Sequence, residues 1–103
     1  MNYKKISQYL KVIADSSRLE ILDLLSCGEL CACDLLEHFS FSQPTLSHHM
    51  KVLKDNNLIT SRKDGNKILY KLNHDVLDDV TSRLTLLSSS AGPCICETVE
   101  KGE

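Results

Sequence analysis

The stretch Ser42-Gln43-Pro44-Thr45-Leu46-Ser47-His48-His49-Met50-Lys51-Val52-Leu53-Lys54-Asp55-Asn56-Asn57 decides the fold. Leu46, Met50 and Leu53 recur at i, i+4, i+7, which predicts one apolar stripe along a helix. Ser42 is a strong N-cap, and Pro44 is tolerated because it falls in the first turn. Asn56-Asn57 ends the helix, since asparagine accepts a left-handed backbone. Beyond it the period becomes that of strands. Ile59 to Lys63 and Lys67 to Leu72 flank Asp64-Gly65-Asn66, and Asp-Gly between such runs predicts a hairpin. Upstream, Glu29 to His38 predicts a shorter helix with Leu30, Leu35 and Leu36 inward, and Phe39-Ser40-Phe41 forms the turn that leads to Ser42.

A helix, a short turn, a second helix and a hairpin describe a winged helix-turn-helix. Two amphipathic segments precede it. Residues 3–14 carry Ile6, Leu10 and Ile13 on one stripe. A second helix running to about Ser26 buries Leu19, Ile21, Leu22 and Leu25, with Ser17 and Glu20 at capping-box spacing and Gly28 as its stop. A last helix over residues 75–87 aligns Leu77, Val80, Leu84 and Leu87. The expected fold is mainly α with a β-hairpin wing. It occupies residues 1–87, with the helix-turn-helix at about 29–55 and the wing at about 59–72. Residues 88–103 read as a flexible tail containing two cysteines.

Composition agrees with one small globular domain. The chain has 103 residues, 42% hydrophobic and 25% charged, with 4 Gly and 2 Pro, which excludes disordered and collagen-like classes. Its richest apolar run, Leu19 to Leu25, is broken by Glu20 and Asp23, far short of the ~20 residues a membrane span needs. Gln8, Lys11 and Asp15 interrupt any signal-peptide core. The expectation is a cytoplasmic protein with no membrane partner.

The net charge of −2 argues at first against a nucleic-acid partner. Its distribution reverses that. Between Ser42 and Lys71 six basic residues face two acidic ones, giving +4; the remainder holds six basic and twelve acidic residues, giving −6. The second helix of the motif exposes Gln43, Thr45, Ser47, His48 and Lys51, side chains able to read base edges in a major groove. The hairpin presents Arg62, Lys63 and Lys67, where phosphates would be met. For the helix residues the alternative is a merely solvated polar face, and for the basic hairpin it is a protein-binding face. His49 lies toward Leu53 and reads as a hydrogen-bonded packing residue.

Five cysteines stand out: Cys27, Cys31, Cys33, Cys94 and Cys96. An odd number in a chain of this type argues against a disulfide framework. Two C-x-C pairs in a reducing compartment point to metal or metalloid binding or to redox chemistry; buried small hydrophobes are the plain alternative.

The runs Asp15-Ser16-Ser17-Arg18-Leu19-Glu20-Ile21-Leu22, Glu29-Leu30-Cys31-Ala32-Cys33-Asp34-Leu35, Ser42 through Met50, and Arg62-Lys63-Asp64-Gly65-Asn66-Lys67 resemble the ArsR-type metalloregulatory repressors. The resemblance runs from about Tyr3 to Leu87. It implies a homodimeric winged-helix repressor of an arsenic-resistance operon, bound to a palindromic double-stranded operator. It further implies release when As(III) or Sb(III) binds cysteine thiolates, with no permanently bound cofactor and no enzymatic activity. The implied metalloid ligands are Cys31 and Cys33. The implied DNA contacts include Gln43, Ser47 and His48. Dimerisation is implied through helices at about 3–14 and 75–87, and hence through Ile6, Leu10, Ile13, Leu77, Val80, Leu84 and Leu87.

The chemistry suits that role, because trivalent arsenic and antimony are soft and prefer thiolates. On a regular helix Cys31 and Cys33 would lie about 200° apart at ~100° per residue, so both would reach one ion only if the helix distorted. Many arsenic-sensing relatives carry a further cysteine where this chain has Leu36. A third ligand is therefore open among Cys27, Cys94 and Cys96. Cadmium or lead sensing lacks an N-terminal cysteine before Cys27, and zinc sensing lacks a histidine in the last helix beyond His74. A thiol-based redox sensor on the same fold is the main rival. A zinc-stapled interaction domain suffers from its narrow cysteine spacing, and no phosphate-cradling or triad motif supports an enzyme.

Overall fold

Side-chain caps decide where the helices begin. In the computed structural model, which describes residues 2–89, the Asn2 side chain accepts from the Lys5 amide at 2.8 Å and opens α1 (Tyr3–Ile13). Asp15 accepts from the Arg18 amide at 3.0 Å and opens α2 (Ser16–Leu25). The cap expected from Ser17 thus lies two residues earlier, at the residue with a carboxylate and an extended backbone. Ser42 Oγ accepts from the Thr45 amide at 3.4 Å and opens α4 (Gln43–Asp55), with Pro44 in its first turn.

Between α2 and α4 the chain departs from the expected single helix. Gly28, at φ +147°, takes it out of α2 through a backbone conformation that residues with a Cβ rarely adopt. A two-residue strand β1 (Leu30–Cys31) follows, and only then α3 (Ala32–His38). β1 is antiparallel to β3 (Lys67–Leu72), Leu30 opposite Tyr70 and Cys31 opposite Leu69. β3 in turn pairs along its whole length with β2 (Ile59–Asp64). The wing is therefore a three-stranded sheet in the order β1-β3-β2, and the hairpin turns at Gly65 with φ +64°. The last helix, α5 (His74–Ser89), is longer than expected at both ends.

The core lies where α1, α2, α4 and the sheet meet. Leu53, Leu58, Ile21 and Leu35 are fully buried, with Leu46 and Met50 at 2% exposure. Each such side chain contributes about 1.5–3 kcal/mol by leaving water, so α4 is fixed by the stripe Leu46, Met50, Leu53. Asn57, at φ +62°, lets the chain leave α4 in a left-handed turn. Leu19, expected inside, is 55% exposed, because at ~100° per residue it falls off the stripe that Ile21, Leu22 and Leu25 share. No helix among the described residues is long and apolar enough to cross a membrane.

Candidate thiol site and nucleic-acid interface

Cys31 has two local duties before any ligand is considered. It ends β1, and its Sγ caps α3 by accepting from the Asp34 amide at 3.3 Å; the Asp34 carboxylate accepts from the Cys31 amide, also at 3.3 Å. Cys33 sits in the first turn of α3. Because Cys31 is extended rather than helical, the expected 200° separation does not arise. The two Cα atoms are 5.3 Å apart and the sulfurs are joined as a disulfide. Both sulfurs thus meet at one point with α3 intact, and no distortion of a helix is needed. This closure links residues two apart and is not a framework tying distant elements together, which is why the odd cysteine count did not foretell it.

The ligand atoms of Cys31, Cys33 and Asp34 all lie within 4.8 Å of one another. Asp34 was not singled out from sequence, although its place three residues after Cys31 is capping-box spacing. Cys27 is exposed and outside this group. Cys94 and Cys96 lie outside the described residues. A cavity of ≈ 290 Å³ adjoins the pair. Its walls come from α3 (Ala32, Leu36), from Gln43 at the start of α4, and from Asn66, Lys67 and Ile68 of the wing.

The polar face of α4 is presented on the same side as the wing. Gln43, Thr45, Ser47, His48 and Lys51 are all exposed. Ser47 and Lys51 line a groove of ≈ 320 Å³ whose far wall is Ser61, Ile68 and Tyr70. Thr45 Oγ1 lies 3.1 Å from Ser42 Oγ, within the cap. Lys51 pairs with Asp55 at 2.8 Å, which raises its pKa. Arg62 pairs with Glu29, and the hydrogen bonds between them raise the arginine and lower the carboxylate. Lys63 and Lys67 are exposed beside the hairpin turn. His49 packs inward as expected: its Nδ1 lies 3.3 Å from Arg18 Nη1, and its ring is 5.6 Å from that of Phe41.

Elsewhere α1, α2 and α5 border an open apolar groove of ≈ 640 Å³, reached by Leu10, Ile13, Leu19, Leu77 and Leu84. Of the residues assigned to a dimer face, Leu84 is 37% and Leu87 81% exposed, whereas Val80 (2%) and Ile6 (9%) are consumed by the chain's own packing. Val80 and Ile6 leave little surface for a partner.

A helix-turn-helix braced by a β-hairpin wing, with a basic face across both, defines a winged-helix DNA-binding regulator. Residues 15–61 match the model of the bacterial regulatory protein arsR family. The arsenical resistance operon repressor of Staphylococcus aureus is 64% identical over 103 residues, covering 100% of this chain and 99% of that protein. That of Staphylococcus xylosus is 62% identical over the same span. Among solved structures, HlyU from Vibrio cholerae superposes with a TM-score of 0.69 at 30% identity, over 84% of this chain and 97% of that one. An ArsR-like regulator from Rhodococcus shares the fold, with a TM-score of 0.73 at 23% identity over 85% and 83% of the chains. The chain belongs to the arsR family of bacterial transcriptional regulators.

Proposed function

We propose that the protein represses an arsenical-resistance operon as a homodimer on a palindromic operator, and that As(III) or Sb(III) bound by the Cys31 and Cys33 thiolates releases it. The observation that carries the reading is the meeting of both sulfurs at the start of α3 beside Gln43 and the wing. Full-length similarity to two arsenical resistance operon repressors supports it. Gln43, Thr45, Ser47, His48 and Lys51 read the major groove, while Arg62, Lys63 and Lys67 meet phosphates. A second copy covers the groove bounded by α1 and α5, chiefly through Leu10, Ile13, Leu77, Leu84 and Leu87.

Release follows from linkage. Cys31 belongs to β1, an edge strand of the wing sheet, and to the cap of α3, which leads into α4. A ligand that binds this junction better off DNA than on it lowers operator affinity, and DNA lowers ligand affinity by the same factor. The action is cytoplasmic. No step in it is catalytic.

The test is fluorescence anisotropy on the DNA upstream of the protein's own gene, with reduced protein titrated by arsenite, antimonite, cadmium, zinc and peroxide. Arsenite and antimonite are expected to release wild type and to leave Cys31→Ser/Cys33→Ser bound. Release of that double variant by arsenite would overturn the assignment. The disulfide favours one second reading, a thiol redox sensor on the same fold; release by peroxide with indifference to arsenite would establish it.

A further inference from the structure

Trivalent arsenic forms three bonds, and the junction supplies two sulfurs. The only other ligand atom within reach among the described residues is the Asp34 carboxylate, a hard oxygen already engaged by the Cys31 amide at 3.3 Å. A soft centre gains little from it. Cys27 is not part of the group. What does adjoin the two sulfurs is the ≈ 290 Å³ cavity, and its lining is chemically specific. Leu36, Ala32 and Ile68 give it apolar walls. Gln43, Asn66 and Lys67 supply two amides and one ammonium, and no carboxylate lines it.

We infer that the third arsenic bond is made to a small, carboxylate-bearing monothiol from solution, seated in this cavity with its acid group toward Lys67, so that the effective inducer is an arsenic–thiol adduct. This rests on the proposed binding of arsenic by Cys31 and Cys33 and names the partner that completes that site. Starting from the dithiol, arsenous acid exchanges its three hydroxides for three sulfurs. Each thiol proton leaves with a hydroxide as water, and nothing is oxidised or reduced. The same occupant stands between Gln43, which opens the recognition helix, and Asn66-Lys67-Ile68 of the wing. A small thiol fits the ≈ 290 Å³ already open there, so it acts by occupying the space between these elements and by engaging Lys67, which DNA would otherwise claim.

The experiment uses reduced full-length protein without DNA, arsenite, and either 3-mercaptopropionate or the neutral 2-mercaptoethanol. X-ray absorption reads the number of sulfurs on arsenic, and competition reads the affinity. With 3-mercaptopropionate, three sulfurs are expected, together with binding about threefold tighter than with 2-mercaptoethanol, the size of an exposed ion pair. Lys67→Gln is expected to erase that difference, and Ile68→Trp, which narrows the cavity, to reduce it. Two sulfurs and one oxygen in the presence of either thiol would overturn the inference. So would three sulfurs without added thiol that fall to two in Cys94→Ser/Cys96→Ser. Arsenite binding that survives Cys31→Ser/Cys33→Ser would instead overturn the underlying site, a separate outcome.

Discussion

Arg62 on β2 lays Nε and Nη2 against the two carboxylate oxygens of Glu29, at 2.9 and 2.8 Å. The residue read from sequence as a phosphate contact thus has an anionic partner two positions before Cys31. The pair is exposed and adds little to stability, but under the proposed phosphate contact it would compete with DNA for the guanidinium. Glu29→Gln is expected to raise operator affinity by about threefold and to steepen its salt dependence by up to about one ion. Arg62→Ala should weaken binding and flatten the slope, and the double variant should match Arg62→Ala. Anisotropy titrations across a salt series decide it. Weaker binding by Glu29→Gln would mean that Glu29 holds Arg62 in its DNA-ready position.

Arg18 ties three helices together. Its Nε donates to the Val12 carbonyl at 2.7 Å, closing the end of α1, and its Nη1 lies 3.3 Å from His49 Nδ1 on α4. That geometry has Nδ1 accepting and the ring proton on Nε2. Arg18→Ala strands both acceptors in a part-buried place, a loss of about 1–3 kcal/mol. Arg18→Lys recovers at most one contact, since an ammonium lacks the planar fork. Urea midpoints should rank wild type above Arg18→Lys above Arg18→Ala. Operator affinity should fall in the same order, because His49 adjoins His48 on the recognition helix.

Much of this arrangement was legible in the chain. The stripe Leu46, Met50, Leu53 and the Asp64-Gly65-Asn66 turn specify the recognition helix and hairpin, because period and turn chemistry are local properties. β1 was not legible: two residues have no period, and Leu30-Cys31 is a strand only because β3 lies beside it. That single misreading placed Cys31 inside a helix and separated sulfurs that in fact meet. Cap choice between Asp15 and Ser17 was equally ambiguous, since both are good caps, and Leu19 lies off the stripe of Ile21, Leu22 and Leu25. Glu29 and Arg18 carry no motif of their own. Their roles come from contacts 33 and 31 residues away in sequence, which only the folded chain brings together.

The Cys31–Cys33 disulfide sets a condition on metalloid sensing. Thiolates are the ligands of soft ions, and a disulfide offers none. Arsenite is therefore expected to release operator from protein kept in dithiol reductant and to fail after stoichiometric diamide. Restoring reductant should restore the response. Cys27→Ser should behave as wild type, since Cys27 stands apart from the pair. Operator release by diamide alone, without arsenite, would shift the function to redox sensing.

Asp15 gives the fold a defined acid limb. The Arg18 amide it caps holds its carboxylate below the ordinary range, helped by the Arg18 charge against the opposing effect of burial. The native carboxylate thus keeps its charge to lower pH than the unfolded one. The stability it contributes is complete above the unfolded group's pKa and is lost as pH falls through the lowered native value, within about pH 5 to 2 for a carboxylate. Asp15→Ala is expected to cost about 1 kcal/mol at neutral pH, with the deficit shrinking as acid removes the wild-type cap. Asp15→Asn keeps a capping oxygen that does not titrate, so it should lie close to wild type at pH 7 and lose less stability on acidification. Thermal midpoints of the three proteins from pH 7 downward measure both effects. A deficit for Asp15→Ala that stays constant into acid would show that the cap acts through its shape alone and not through its charge.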